Sequence, residues 1–157
     1  MKKTLIALSL ATIALSPAAM AQSTAPLTIG GKAGFFKPHG SDNDSGLTIG
    51  ATLGRNIQGN FSWEADLMLG ITDGEIGNNR DYEINSVAGY GVWRSPGNVH
   101  FKAKAGVGYW DDDFDDDINL TMGVGIGINL NRGVLDIEYT QINDYVDYIT
   151  VGYRIPF

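Results

Sequence analysis

The stretch INLTMGVGIGINL, residues 118–130, decides the fold of this chain. Its apolar residues occupy every second position: Ile118, Leu120, Met122, Val124, Ile126, Ile128 and Leu130. The positions between them hold asparagine, threonine and glycine, and so many glycines would weaken any helix. A period of two places alternate side chains on opposite faces of a β-strand. We therefore predict a strand with one apolar face and one face of small and polar residues.

The same alternation recurs along the chain and predicts seven more strands. They cover residues 27–37, 47–57, 61–72, 82–94, 99–110, 134–141 and 148–157. The pattern is less regular in residues 82–94, where Ala88, Tyr90 and Val92 are assigned to the apolar face but Val87 falls on the other one. Each range has about the length that a tilted strand needs to cross a bilayer.

The connectors between these strands alternate in length and charge. Three of them are tight turns built from the usual turn residues, at positions 58–60, 95–98 and 131–133. Four are longer and mostly acidic, at positions 38–45, 73–81, 111–117 and 143–147. Short turns at one end and longer loops at the other are typical of outer-membrane barrels. The chain is therefore predicted to be all-β, an eight-stranded antiparallel up-and-down transmembrane β-barrel.

The N-terminus indicates the compartment. Lys2 and Lys3 precede an apolar run over residues 5–15, which is too short for a membrane-spanning helix. Residues 19–21 read Ala-Met-Ala, the small-x-small pattern of a signal-peptidase site. We expect residues 1–21 to be a cleaved signal peptide and residues 22–157 to form one barrel domain. Cleavage would remove two of the 11 basic residues and leave nine basic against 18 acidic residues. This excess of negative charge argues against a nucleic-acid partner.

A period of two does not say which face of the barrel is outside. A soluble barrel would turn its apolar face inward. An eight-stranded barrel, however, encloses little more room than its own side chains fill, which is too little for this many large apolar residues. The other face is rich in glycine, threonine and asparagine, which suits a narrow lumen. We therefore place the apolar face in the lipid.

The charged residues of the polar face are expected to meet in the lumen. Seven of the eight stand on alternate strands and the eighth, Arg154, on the last strand; glycines on the strands between them leave room for long side chains. Because buried charges are costly unless they are paired, we favour an ion-pair network that plugs the lumen over a lumen wetted by scattered water. Its predicted members are Lys32, Glu64, Asp66, Lys102, Lys104, Asp136, Glu138 and Arg154. Arg55, Arg94 and Arg132 are instead assigned to the short-turn end, where they can extend toward water.

The end of the chain carries a more specific pattern. In ITVGYRIPF, residues 149–157, apolar residues alternate up to the last aromatic residue: Ile149, Val151, Tyr153, Ile155 and Phe157. This pattern resembles the C-terminal assembly signal of bacterial outer-membrane barrels. Together with the signal peptide and the eight strands, it makes the chain resemble the small OmpA-like and OmpX-like, porin-family barrels. The resemblance implies the outer membrane of a Gram-negative cell envelope, contact with lipid and lipopolysaccharide, insertion by the barrel assembly machinery, and a monomer.

Three classes of function fit such a barrel. The first is a non-enzymatic role in envelope structure or surface contacts, and the second is a narrow channel for small solutes or ions. The third is an enzyme that modifies lipid A, for which His39, Ser41 and Asp42 are the candidate residues in the first long loop. A lone His–Ser pair is weak evidence for a nucleophile, and His100 is predicted at the wrong end. We expect no catalytic residues and no cofactor.

An acidic run in the third long loop is a candidate cation site. It contains Asp111, Asp112, Asp113, Asp115, Asp116 and Asp117. Its first, third and fifth positions match a calcium loop, but the sixth is Asp116 instead of glycine and the twelfth is Met122 instead of glutamate. We therefore expect no specific metal site. A weak divalent-cation loop beside lipopolysaccharide phosphates and a simply solvated loop remain open.

Overall fold

The structure, a computed structural model, describes residues 25–38, 45–71, 74–76, 80–82, 85–111, 116–142 and 146–157. Its strands are β1 (Leu27–Pro38), β2 (Gly46–Gln58), β3 (Phe61–Gly70), β4 (Gly74–Ile76), β5 (Arg80–Tyr82), β6 (Asn85–Arg94), β7 (Val99–Asp111), β8 (Asp116–Leu130), β9 (Gly133–Gln141) and β10 (Val146–Pro156). Within the described ranges, no helix is long and apolar enough to span a membrane. The predicted signal peptide lies outside the described residues, as do His39, Ser41 and Asp42.

Eight of the strands close into an antiparallel barrel, in the order β1-β10-β9-β8-β7-β6-β3-β2. The first and last strands complete the ring through a ladder that runs from Thr28 opposite Pro156 to Pro38 opposite Val146. All other neighbours in the barrel are also neighbours along the chain, apart from the short β4–β5 hairpin between β3 and β6. The predicted eight-stranded up-and-down barrel is confirmed.

The two ends of the barrel differ. The end with the short connections, called the turn end here, uses glycines at positive φ, 55° at Gly59 and 128° at Gly97. Residues other than glycine rarely adopt these backbone angles, so the two glycines allow the chain to reverse tightly. At the opposite, loop end, the ladder of β7 and β8 continues until Asp111 pairs with Asp116. Part of the predicted acidic loop is therefore strand.

Alternate residues of each strand point to opposite sides, and burial shows which side is which. On β8, Leu120 is 69% exposed while its neighbour Thr121 is fully buried. The exposed side chains along the barrel are mainly large and apolar, whereas eight lysine, arginine, aspartate and glutamate side chains of its strands are buried. A soluble protein shows the reverse distribution. The barrel thus presents its apolar face outward, as a lipid-spanning barrel must.

The prediction for β6 was wrong. Ala88, Tyr90 and Val92 were assigned to the lipid side, but they are only 3%, 5% and 2% exposed and face the lumen. Both faces of this strand carry apolar residues, so its own pattern does not distinguish them. The register does, because Tyr90 stands opposite Glu64 of β3, an inward residue. Directly opposed residues point to the same side of a sheet.

Candidate functional site

The lumen is the candidate site, and glycines of β8 make its charged contacts possible. Lys102 of β7 stands opposite Gly125 of β8, which stands opposite Glu138 of β9. A Cβ atom at position 125 would lie 2.6 Å from the carbonyl oxygen of Ile137 and 3.1 Å from Glu138 Cγ. The glycine therefore leaves the space in which the two side chains meet. We call such a row across β7, β8 and β9 a rung.

Four charged side chains form a closed ring of alternating sign within the lumen. Lys32 Nζ donates to Asp66 Oδ2 at 2.8 Å and to Glu138 Oε2 at 3.1 Å. Lys104 Nζ donates to the same two oxygens, at 3.0 and 2.8 Å. Each carboxylate oxygen thus bridges two ammonium groups. This sharing offsets part of the large cost of removing these charges from water.

Uncharged side chains hold the ring in place. The Thr52 hydroxyl donates to Asp66 Oδ1 at 2.5 Å, so both oxygens of this carboxylate are bonded. The ammonium group of Lys104 lies 4.3 Å from the centre of the Tyr90 ring, within the range of a cation–π contact. The Tyr90 hydroxyl is in turn 3.4 Å from the Thr121 hydroxyl. Tyr90 can support the ring only because β6 turns this face inward.

Lys102 extends the ring toward the turn end. Its Nζ donates to Glu138 Oε1 at 2.5 Å and also lies 2.5 Å from Glu64 Oε2. The other oxygen of Glu64 accepts a hydrogen bond from Arg94 and lies 3.5 Å from Arg154 Nη1. The charges therefore form one connected chain, in which Glu64, Asp66 and Glu138 each contact more than one cation.

Arg154 and Asp136 complete the network. Arg154 Nε donates to Asp136 Oδ2 at 2.5 Å, and the contact is diagonal because Arg154 pairs with Val134 on the ladder. All eight predicted lumen side chains are at most 8% exposed and belong to this one set of contacts. The structure thus brings the predicted residues together.

Arg94 is a member that sequence reasoning missed. Its guanidinium group donates to the Ser62 hydroxyl and to Glu64, and its side chain is 13% exposed, so it does not extend into water. The error follows from the misassigned face of β6. Arg94 lies two residues beyond Val92, so the correct face would have placed it in the lumen.

The loop end of the lumen is apolar, which the sequence did not suggest. Its buried cluster consists of Phe36, Met68, Ile142, Val146 and Tyr148, with Trp110 packed against it. The rings of Phe36 and Tyr148 meet edge to face, with centroids 6.4 Å apart and planes at 86°. Such aromatic pairs add to the stabilisation from burial alone. An apolar layer therefore lies next to the charged network along the lumen.

A small cavity separates the two layers. It is lined by Lys32, Asp66 and Lys104 on the charged side and by Met68 and Ile142, among others, on the apolar side. Its free space is enough for about one water molecule.

The other predicted residues lie elsewhere. Ile149, Val151, Tyr153 and Ile155 point outward from β10, and the terminal Phe157 is also exposed. Within the part of the chain that the structure describes, no group of three or more histidine, cysteine, aspartate or glutamate side chains is placed to bind a metal ion. The predicted cation loop is not tested by this result, because the side chains of residues 111–117 are not described.

A closed barrel with an apolar outer face and a charged interior defines a small integral β-barrel of the bacterial outer membrane. A family model described as "Outer membrane protein beta-barrel domain" matches residues 5–154, and the chain belongs to this family. Its location is accordingly the outer membrane of a Gram-negative cell. No curated protein matches the chain.

Solved structures of other outer-membrane barrels share the fold. Neisserial surface protein A has 15% sequence identity and a TM-score of 0.63, and the match covers 86% of this chain and 100% of that one. Ail, the attachment invasion locus protein of Yersinia pestis, has 18% identity and a TM-score of 0.50, with coverages of 83% and 97%. The outer membrane enzyme PagL has 16% identity and a TM-score of 0.53, with coverages of 83% and 99%. At these identities the likeness concerns the fold alone.

Proposed function

We propose that the protein is a non-enzymatic barrel with a closed lumen, which serves envelope structure or contacts at the cell surface. The observation that carries this proposal is the filling of the lumen by two different layers in series. One is the ion-pair network around Lys104 and Glu138, and the other is the apolar cluster around Phe36. A solute would have to break both layers to pass.

A narrow channel is the competing function, and conductance distinguishes the two. Barrels with open aqueous pores have many more strands than eight. The refolded protein should therefore be silent in planar bilayers. Phe36→Ala, which opens the apolar layer, should also be silent because the ionic layer remains. A steady pore in the unmodified protein would overturn the proposal.

We propose that the network supports the closed lumen structurally. Replacement of Lys102 and Lys104 together by methionine leaves Glu64, Asp66 and Glu138 with fewer cations, so resistance to heat and detergent should fall. Lys37→Met is the matched control, since this lysine is exposed near the loop end of β1. Equal resistance of the double variant and the control would show that the network has no structural role.

Because the enzyme PagL has this fold, the non-enzymatic role needs its own test. Overproduction of the protein should leave the lipid A of the host membrane unchanged in mass spectra. Altered lipid A that reverts with Ser41→Ala would establish the lipid A-modifying enzyme instead.

We propose that the outer surface contacts lipid and lipopolysaccharide, with acidic loops that tolerate anionic neighbours through divalent cations. Ail has been solved with the heparin analogue sucrose octasulfate. A similar polyanion is a poor ligand for this chain, whose formal net charge is −7. Calcium should therefore raise the melting temperature slightly, and less so when Asp112, Asp113 and Asp115 are changed to asparagine. An unchanged melting temperature with calcium would remove the cation role.

We also propose that residues 1–21 are cleaved, that the C-terminal pattern is read by the barrel assembly machinery, and that the barrel is a monomer. The mature protein should then begin at Gln22 by N-terminal sequencing and behave as one copy in detergent.

Phe157→Ser should lower the assembled fraction in cells but leave refolding into detergent intact. Equal losses in both settings would point to a role in stability and not in recognition.

A further inference from the structure

His100 is a buried titratable group that the ion-pair network does not use. It is the second residue of β7, lies at the turn end, and is only 4% exposed. Among the residues that the structure describes, its Nε2 atom has no hydrogen-bond partner. A buried polar atom without a partner is costly, so a position that keeps one calls for an explanation.

The register gives His100 a defined place. It stands opposite Gly127 of β8, and Gly127 stands opposite Asp136 of β9. A Cβ atom at position 127 would lie 2.8 Å from Asp136 Oδ1 and 2.5 Å from His100 Cε1, so both side chains reach over this glycine. The arrangement repeats the rung formed by Lys102 and Glu138. His100 therefore occupies the position of the cation in the last rung at the turn end.

Only one of the two carboxylate oxygens of Asp136 has a partner among the described residues. Its Oδ2 atom accepts the hydrogen bond from Arg154, while Oδ1 has no partner among the described residues. An imidazolium at position 100 can donate to this free oxygen. The single negative charge of Asp136 would then be shared between His100 and Arg154, and these two cations would repel each other.

The charges around His100 decide the direction of the effect. The charged groups that act on it are Asp136 of β9, Arg94 of β6, Arg154 of β10 and Lys102 of its own strand. Glu64 of β3 is paired with three of these cations, Arg94, Lys102 and Arg154. Among the described residues, the network holds five cations, at residues 32, 94, 102, 104 and 154, and four anions, at residues 64, 66, 136 and 138. A protonated histidine would raise this excess from one positive charge to two.

We propose that His100 is an acid-sensitive switch at the turn end of the lumen. Neutral, it leaves Asp136 to Arg154. Protonated at Nε2, it draws on the same carboxylate, repels Arg154 and the other cations beside it, and loosens the contacts that close this end. The proposal rests on the closed lumen proposed above and adds its regulation. Imidazole in water titrates near pH 6.5, so the change should occur between about pH 5 and pH 8.

The test measures unfolding by urea in lipid vesicles at pH 8 and pH 5. The unfolded chain can carry the imidazolium in water, whereas the folded lumen already holds an excess of positive charge. Acid should therefore favour unfolding through His100, and the unfolding constant should rise by up to about tenfold per pH unit. His100→Gln removes the titrating group and should lose this part of the pH dependence. His39→Gln, which changes the other histidine of the chain, should keep it. This control also leaves His100 as the single histidine, so NMR can follow its titration directly.

A third variant imitates the protonated state. His100→Lys carries a permanent cation in the last rung, so at pH 8 it should unfold as readily as the unmodified protein does at pH 5. If this variant does not fold, the comparison of His100→Gln with His39→Gln decides alone. Equal pH dependence in these two variants would refute the switch.

Conductance separates this proposal from the one on which it rests. A steady pore at pH 8 would overturn the closed lumen, whatever the histidine does. A barrel that is silent at pH 8 but whose pH dependence survives in His100→Gln would overturn the switch alone.

Discussion

Removal of the charge on Glu138 is the most direct test of the lumen network. Its two oxygens lie within 3.1 Å of three ammonium groups, those of Lys32, Lys102 and Lys104. Glu138→Gln keeps the shape of the side chain but leaves two carboxylates, Asp66 and Glu64, to pair with the three lysines. The buried excess of positive charge rises from one to two.

The size of the effect follows from these contacts. Loss of one partner of a buried ion pair costs about 3–5 kcal/mol. Each lysine keeps one carboxylate partner, so we expect the free energy of unfolding to fall by the lower end of this range, about 3 kcal/mol. The loss should not reach the sum of three broken pairs. A loss of about 3 kcal/mol corresponds to a rise of more than about a hundredfold in the unfolding constant. Urea unfolding in lipid vesicles at pH 8, followed by tryptophan fluorescence, measures it.

A second substitution serves as the control. Lys102→Met in the Glu138→Gln background returns the buried excess of positive charge from two to one. The double variant should therefore lose less stability than the sum of the losses in the two single variants. Contacting residues typically show coupling of about 0.5–3 kcal/mol in such cycles. A loss below about 1 kcal/mol for Glu138→Gln, as for solvated pairs, would refute the reasoning, because the lumen would then be filled with water.

Two further predictions concern packing. Gly125→Ala places a Cβ atom 2.6 Å from the Ile137 carbonyl oxygen and should lower the unfolding free energy by about 1–3 kcal/mol in the same assay, whereas Gly89→Ala, which meets open space, should raise it by about 0.5–1 kcal/mol. Phe36→Ala should cost about 3–5 kcal/mol because Phe36 is fully buried, and Phe35→Ala, at 55% exposure, should cost clearly less because no cavity forms. Equal losses within either pair would contradict the assignment of faces.

Prediction from sequence succeeded where one strand face differs clearly from the other. Lys102 and Lys104 alternate with alanine and phenylalanine, so their strand could be oriented without its neighbours. Prediction failed where both faces of a strand are apolar, as around Tyr90. Arg94 lies on the same strand and was misplaced for the same reason. In each such case the strand's own pattern carries no signal, and only pairing with an unambiguous neighbour supplies it.

The sequence by itself determined the number of strands in the barrel, the alternation of turns and loops, and most of the charges that have no place in lipid. These follow from local periodicity, which depends on a residue and its near neighbours in the chain. Only the tertiary structure decided which oxygen meets which cation, that Tyr90 and Arg94 face inward, and that Phe36 and Tyr148 pack together at the loop end. These contacts join strands that are distant in the chain, and barrel closure sets their register. His100 and Asp136 lie on either side of Gly127 for the same reason, since only the ladder aligns these three residues.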